Sequence, residues 1–533
     1  MRVLHTENGG SKADLPTAVV FELQALMGQL GKISSLAKMV AATLCCVRRV
    51  GVLMVQQAVE GRDEKFQRSE SSVICAKAEC KTPMRRTKNL RGVRRYTLLG
   101  AIRYRRIGYR CPRCDERCFP VDAEIGVSEG LHGHSSEFAS GLVLLCVVVP
   151  FGKGCELFGR LAGLCISTHL ARALTFDIGT RLFAAQMKNA EHLWNQRSEQ
   201  PEIFEPPPYE LRKVGRHKRV YVMTDNSKVG LQNGKRGRKA PRLKALLKQA
   251  QHERRQAARV RKRLINGPAA SPTANTDLES LLDDDGSWRD VRALLIFREQ
   301  DLAQVSKKRR EIVRRRVVAH LGTKEEWAQL VHMAFHEEGV YTAHEVVVIA
   351  DGGSGIWELI AELLPTTTSR RVIEVLDWYH AASHLWAVGR TLKGCKTPQE
   401  RARCAAWVRS LLDYMADGKV ANVIQRLTKL KGLLGASAEA VRKCLKYFIA
   451  HRTRMRYAWC RNNGMLIGSG AIESVHAWVI QARCRLPGMR WSEAGINAML
   501  RLRCSWASGR WDEDFASAAN VADQPPLHFK AAA

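Results

Sequence analysis

Three carboxylates stand where a chain could build a metal-dependent reaction. Asp225 ends the run Arg219-Val220-Tyr221-Val222-Met223-Thr224, and Asp351 ends Val346-Val347-Val348-Ile349-Ala350. Glu473 lies in Ile467-Gly468-Ser469-Gly470-Ala471-Ile472-Glu473-Ser474. Cleaving or joining a phosphodiester needs an activated attacking oxygen and a stabilised leaving oxygen. Two divalent ions about 3.5–4 Å apart meet both needs, and carboxylates hold them. Magnesium takes hard oxygen ligands and keeps waters, so two or three acidic side chains suffice. The three residues are 126 and 122 positions apart, so only folding can bring them together. Singly, each also fits a plainer role, a strand-end turn residue or an acid in the first turn of a helix.

The elements that must position them are strands and one helix. Arg371-Val372-Ile373-Glu374-Val375-Leu376 forms a third strand-like run and ends at Asp377. Asp351 precedes Gly352-Gly353-Ser354-Gly355, which lets a backbone or phosphate come close. Glu473 follows a Gly-Ser-Gly turn and opens a helix carrying Ile472, Val475, Val479 and Ile480. From His380 to Asn463 the pattern is helical, in three or four segments. Between the first two strands lies a basic stretch, 234–266, then a Pro/Ala/Ser/Thr loop, 267–276, and the acidic run Asp283-Asp284-Asp285. Apolar residues then recur at Trp288, Val291, Leu295, Leu302 and Val305, before a second basic run, 307–316. This spacing predicts a basic helical hairpin inserted at 231–325. It reads either as a solvated charged pair or as an arm whose cations displace counterions from a DNA backbone.

The 533-residue chain is too long for one ordinary core. Its net charge of +33 is a footprint for a polyanion, most simply nucleic acid. The N-terminus has no apolar signal core, and Lys38, Arg48 and Arg49 interrupt the apolar stretch after Leu36, so a cytosolic protein with no membrane span is expected. Sixteen cysteines in that compartment are not expected to form disulfides. Four of them form two knuckles, Cys75-x4-Cys80 and Cys111-x2-Cys114, separated by 30 residues. Four thiolates suit tetrahedral zinc, with Cys118 as an alternative ligand; unliganded thiols are the other reading. Ile102, Tyr104, Ile107 and Tyr109 alternate with Arg103, Arg105 and Arg106, which predicts a hairpin with a basic face for phosphate contacts. Pro150–Leu161 and Ile166–Leu174 about Gly163 suggest helix-turn-helix, or an ordinary helical hairpin. Glu202–Pro208 is a proline-rich linker.

Taken together, the strand-Asp, strand-Asp, helix-Glu order resembles DDE transposases of the RNase H-like superfamily. Ile349-Ala350-Asp351-Gly352-Gly353-Ser354-Gly355-Ile356-Trp357, the Asp-x-x-His at Asp377 and His380, Gly468–Ser474, and Gly488-Met489-Arg490-Trp491-Ser492 are similar to the ISKra group of bacterial insertion sequences, which are Mutator-like. One departure is Asn226, where the group usually has glycine after the first aspartate. The resemblance implies an α/β RNase H-like catalytic core at 201–533 with an all-helical insertion at 385–465. Ahead of it would come an N-terminal helical region (1–70), a zinc ribbon (71–129) and a helix-turn-helix-like region (130–200). It implies that Asp225, Asp351 and Glu473 ligate two Mg2+ or Mn2+ ions. His380 would position the scissile phosphate with Asp377 in support, and structural zinc would sit on Cys75, Cys80, Cys111 and Cys114. Double-stranded DNA at the element ends and target would be the partner, with Arg103, Arg105, Arg106, Arg485 and Arg490 as candidate contacts. A homodimer or higher oligomer at the bacterial nucleoid is expected. The competing readings are an inactive transposase acting as a DNA-binding regulator and another RNase H-like nuclease, such as a resolvase.

Overall fold

The computed structural model describes residues 17–68, 73–77, 79–127, 131–199, 219–232, 288–306, 309–353, 355–365, 370–430, 432 and 435–519. The linker at 202–208, the basic stretch at 234–266 and the segment through Asp285 lie outside the described residues. The chain divides into two compact units, Met1–Leu182 with Asp512–Ala533, and Phe183–Trp511.

The second unit is built on a five-stranded sheet. Its strands are β1 (Arg219–Gly230), β2 (Trp288–Arg298), β3 (Arg316–His320), β4 (Glu345–Ala350) and β5 (Arg371–Leu376). The spatial order is β3-β2-β1-β4-β5. β1, β4 and β5 run parallel, while β2 and β3 are antiparallel to their neighbours. The central strands read as unbroken apolar runs because both faces are covered. Val346, Val347, Val348, Ile349 and Ala350 of β4 are all fully buried. Burying each valine or isoleucine is worth roughly 1.5–3 kcal/mol, which anchors the strand and therefore whatever sits at its end.

Residues 288–320 correct the helical-hairpin expectation. They form β2, a small antiparallel pair (Leu302–Ser306 with Arg309–Ile312) and β3. Trp288, Val291 and Leu295 have helical spacing. They belong, however, to a strand whose residues Ala293, Leu294, Leu295, Ile296 and Phe297 are all buried. An unbroken apolar run does not distinguish a two-sided strand from a buried helix. Pairing over its whole length with β1, from Val220↔Arg298 to Gly230↔Trp288, decides for the strand.

Helices cover the sheet and extend it. Lys324–Glu337 starts in a Thr323/Glu326 capping box. Glu493–Ala507 lies along β3, where the Asn497 amide bonds both main-chain groups of Leu321. After β5 come the helices Trp378–Lys393, Pro398–Ala416, Val420–Thr428, Gly435–His451 and Tyr457–Asn462, in the region expected to be helical.

In the first unit, helices Thr17–Leu30 and Leu36–Arg68 precede the hairpin Arg91–Tyr96/Ala101–Arg106. Asp63, fully buried, accepts the Ile107 N–H and ties the long helix to the hairpin's end. By length and composition alone, Leu36–Arg68 is the one helix among the described residues capable of crossing a membrane. Its Val59 packs with Ile102, Tyr104 and Val121. Ser136–Val148 and Phe151–Ala162 follow, the latter ending at Gly163 before the helix that starts at Thr168.

Candidate active site and thiol cluster

Sheet register sets the first part of the site. Thr224, Ala350 and Leu376 lie side by side across β1, β4 and β5. Asp225, Asp351 and Asp377 each come one residue later, so three acids arise at one level of three adjacent parallel strands, which are about 4.8 Å apart. Asp225 stays paired with Ala293 of β2 and is only partly buried. Its Oδ1 accepts the Asn226 N–H at 2.7 Å. Burial above all, with the nearby Asp351 and Asp377 carboxylates, raises its pKa to about 6, while the Asn226 N–H and His380 pull the other way. This crowding of like charge, made of hard oxygen donors, fits a divalent cation.

Asp351 turns out of β4 through Gly352, whose φ is +85°. A Cβ there would come 2.9 Å from His451 Nε2 and 3.0 Å from Leu376 Cδ1, so only glycine fits. Asp351 Oδ1 accepts the Gly353 N–H at 2.9 Å, and the Tyr447 hydroxyl donates to the Asp351 main-chain oxygen.

Asp377 is 2% exposed and does not project into open space. One of its oxygens caps the helix Trp378–Lys393 through the His380 N–H, and the other accepts the Ser469 N–H, both at 2.7 Å. The Trp378 N–H also donates to the Ile467 carbonyl. The Gly-Ser-Gly turn is thereby fixed to the end of β5. His380 stands exposed on the first turn of its helix, 5.6 Å from His384 ring to ring.

Glu473 is exposed on the short helix Gly470–Val475. With Asp225, Lys228, Trp288, His476 and Arg485 it lines a cavity of about 510 Å3. Asp351 does not line this cavity. Among the described residues, the three carboxylates do not bring their oxygens within 4.8 Å of one another. A single ion shared by all three is therefore not preformed; two ions, each on part of the set, ask less of the geometry.

Two features escaped the sequence reading. Glu473's helix continues as a π-helical turn, His476–Gln481, whose Trp478 and Val479 carbonyls accept from the buried Arg503 guanidinium. His476 is 5% exposed, with Nδ1 3.9 Å from Asp225 Oδ2, and burial lowers its pKa to about 4, so it is neutral at ordinary pH. The Glu-x-x-His spacing of Glu473 and His476 was a readable signal for it.

The candidate DNA contacts divide. Arg485 and Arg490 lie over the Trp288 ring, 5.4 and 5.2 Å from its centroid. Arg490 is held there because Leu231 and Trp491 form a parallel bridge at the end of β1. In the other unit, Arg103 and Arg105 are exposed on the hairpin. Arg106 is a correction: it pairs with Asp122 and stacks 3.8 Å from the Phe119 centroid. Strand parity is the reason, since 102, 104 and 106 share the inward face.

Cys75, Cys80, Cys111 and Cys114 bring their sulfurs within 4.8 Å of one another, close enough to hold a zinc ion. Cys75–Cys114 and Cys80–Cys111 approach to 3.6 Å. Hydrogen bonding with Thr82 is the main influence that brings the Cys80 thiol down to about 6, favouring the thiolate that zinc needs. Cys118 packs at the edge of the same cluster. No protein-family model and no curated protein matches this chain.

Proposed function

We propose that the chain is a DDE-type DNA transposase with an RNase H-like core, which cleaves strands at insertion-sequence ends and joins them to target DNA. One observation carries the reading: Asp225, within β1, and Asp351, just past the end of β4, stand at one level of neighbouring parallel strands, and Glu473 lines the same cavity as Asp225. Two Mg2+ or Mn2+ ions on Asp225, Asp351 and Glu473 would supply the Lewis acidity that activates water, then a DNA 3′-hydroxyl, and stabilises the leaving oxygen. The chain's own part is positional. Asp377 holds the Glu473 turn and the first turn of the His380 helix on one support, and His380 is exposed for a phosphate oxygen. Arg485, Arg490 and Lys228 give the cavity a cationic wall for the DNA backbone. Arg103 and Arg105, on a zinc-held ribbon, contact phosphates of the element ends. Partners are double-stranded DNA and further copies of the chain, at the nucleoid of a bacterial cytoplasm.

A second reading, a DNA-binding regulator without cleavage, has in its favour that the three carboxylates are not drawn together. The test is incubation of the purified full chain with Mg2+ or Mn2+ and the DNA flanking its own gene. Cuts at the borders of terminal repeats support the transposase. Tight binding of those ends with no cut in either metal supports the regulator.

A further inference from the structure

We propose that the chain pairs with a second copy of itself through an uncharged apolar stripe on the helix Leu36–Arg68, a contact independent of the carboxylate site. Leu36, Val40, Leu44, Val47 and Met54 are all exposed, Leu36 at 76% and the others at about half. At 3.6 residues per turn they fall within about 80° of arc, which makes one straight face. Gly51 belongs to the same series and is overlaid by Leu99, since a Cβ there would come 2.9 Å from Leu99 Cδ1. From Val40 through Gly51 to Met54 the steps are four, three, four and three residues. That repeat lets one helix seat its side chains between those of another. The helix Thr17–Leu30 folds back along this one, where Cys46 Sγ donates to the Glu22 carbonyl and Arg49 pairs with Glu22. Counted round each helix from the buried seam at Val19 and Cys46, Leu23 and Met27 come to the same side as the stripe, and both are exposed.

A second copy is the occupant these observations favour. The seven exposed side chains leave of order 700 Å2 open, above the roughly 300–600 Å2 of the largest patch on a typical monomer and close to the roughly 800 Å2 each partner gives to a standard interface. Each chain carries a net charge of +33, so two copies repel over most of their surface. The charged residues between Leu36 and Ala58 are Lys38, Arg48 and Arg49, and all three lie off the stripe. A stripe set against its own copy therefore opposes no like charges, as a two-fold contact requires. A bilayer is the other apolar surface such a helix could meet. Arg49 is paired with Glu22, however, and Arg48 donates to the Leu161 carbonyl. The helix is thus held along its polar sides within a folded unit, by charges that a span would have to bury. Lipid also has no spacing for a four-three repeat to match.

The experiment is sedimentation equilibrium of the zinc-replete full chain, nuclease-treated, without DNA, Mg2+ or Mn2+. High salt is used, because it dissolves contacts bridged by residual nucleic acid and leaves apolar ones. The wild type is expected to be a dimer at micromolar concentration. Leu44→Glu combined with Val47→Glu is expected to weaken self-association by about a hundredfold or more. Met27→Glu, on the other helix, is expected to weaken it by a smaller factor. Helix content by circular dichroism should stay unchanged, because all three positions are half or more exposed. A wild type that stays monomeric at tens of micromolar overturns the proposal, and so does a dimer that persists in the double variant. If the double variant is monomeric but has lost helix, Met27→Glu decides: it must weaken the dimer with its helices intact, or the proposal falls. A monomeric wild type that binds phosphatidylserine vesicles, and loses them in the double variant, assigns the face to lipid and also overturns it. Cleavage at the carboxylates plays no part in this assay and stands or falls by its own test.

Discussion

The carboxylate of Asp377 accepts the main-chain N–H of Ser469 at 2.7 Å, four residues ahead of Glu473. Its other oxygen accepts the N–H of His380 at the same distance. One buried acid therefore sets both the turn that launches Glu473 and the helix that carries His380. Asp377 acts through these neighbours, which accounts for an acid that ends a strand beside Asp225 and Asp351 but makes no opening of its own.

Asp377→Asn replaces one acceptor with an NH2 group that must face an N–H. The expected loss is about 1–3 kcal/mol of stability, seen as a lower melting temperature. A shift of about 1 Å in Glu473 is expected to cost roughly a hundredfold in cleavage rate. A variant that melts and cleaves like the wild type contradicts the role.

Asp225 titrates at about 6 in the fold against an ordinary 3.8. A raised carboxylate keeps its proton longer in the folded chain, so ionising it costs stability. That cost is absent below about pH 4, grows as pH rises to about 6 and stays above it. In a chelator, Asp225→Asn is expected to be more stable than the wild type above pH 6 by of order 1–3 kcal/mol, with the two converging below about pH 4. Melting temperatures across pH test this; an Asn variant less stable at pH 8 goes against it.

Arg503, 2% exposed, holds the Trp478 and Val479 carbonyls of the π-helical turn. Arg503→Met removes a charged donor to both and is expected to destabilise the protein by about 2–4 kcal/mol. Hydrogen exchange should show the loss concentrated at 476–484. Unchanged protection there contradicts the assignment.

The thiol cluster predicts one bound zinc per chain. Cys111→Ser with Cys114→Ser is expected to lose the metal and unfold the small sheet that carries it, Arg85–Arg86 with Tyr109–Arg110 and Arg117–Cys118. Metal analysis and hydrogen exchange read both effects. A zinc-free wild type with that sheet still protected overturns the prediction.

Much of this site is legible in the chain because strands and cysteine knuckles leave short-range marks. β4 and β5 are apolar runs stopped by an aspartate, and the four thiols sit in two tight pairs; β1 instead runs past Asp225 to Gly230, because β2 pairs with it along that whole length. What stays hidden depends on partners far away in sequence. The run 288–298 imitates a helix until β1 pairs with it. Arg106 looks like part of a basic face until its inward parity and Asp122 are seen. Asp377 reads as a companion of His380, since its second bond reaches 92 residues onward to Ser469. The π-helical turn rests on Arg503, 24 residues beyond Val479, and no local pattern announces it.

The most direct measurement is strand cleavage of end DNA by the wild type, Asp351→Asn and Glu473→Gln, with DNA binding measured on the same samples. The account predicts metal-dependent cleavage by the wild type, none above background by either variant, and binding within a few-fold for all three. Cleavage at the wild-type rate by either variant contradicts it.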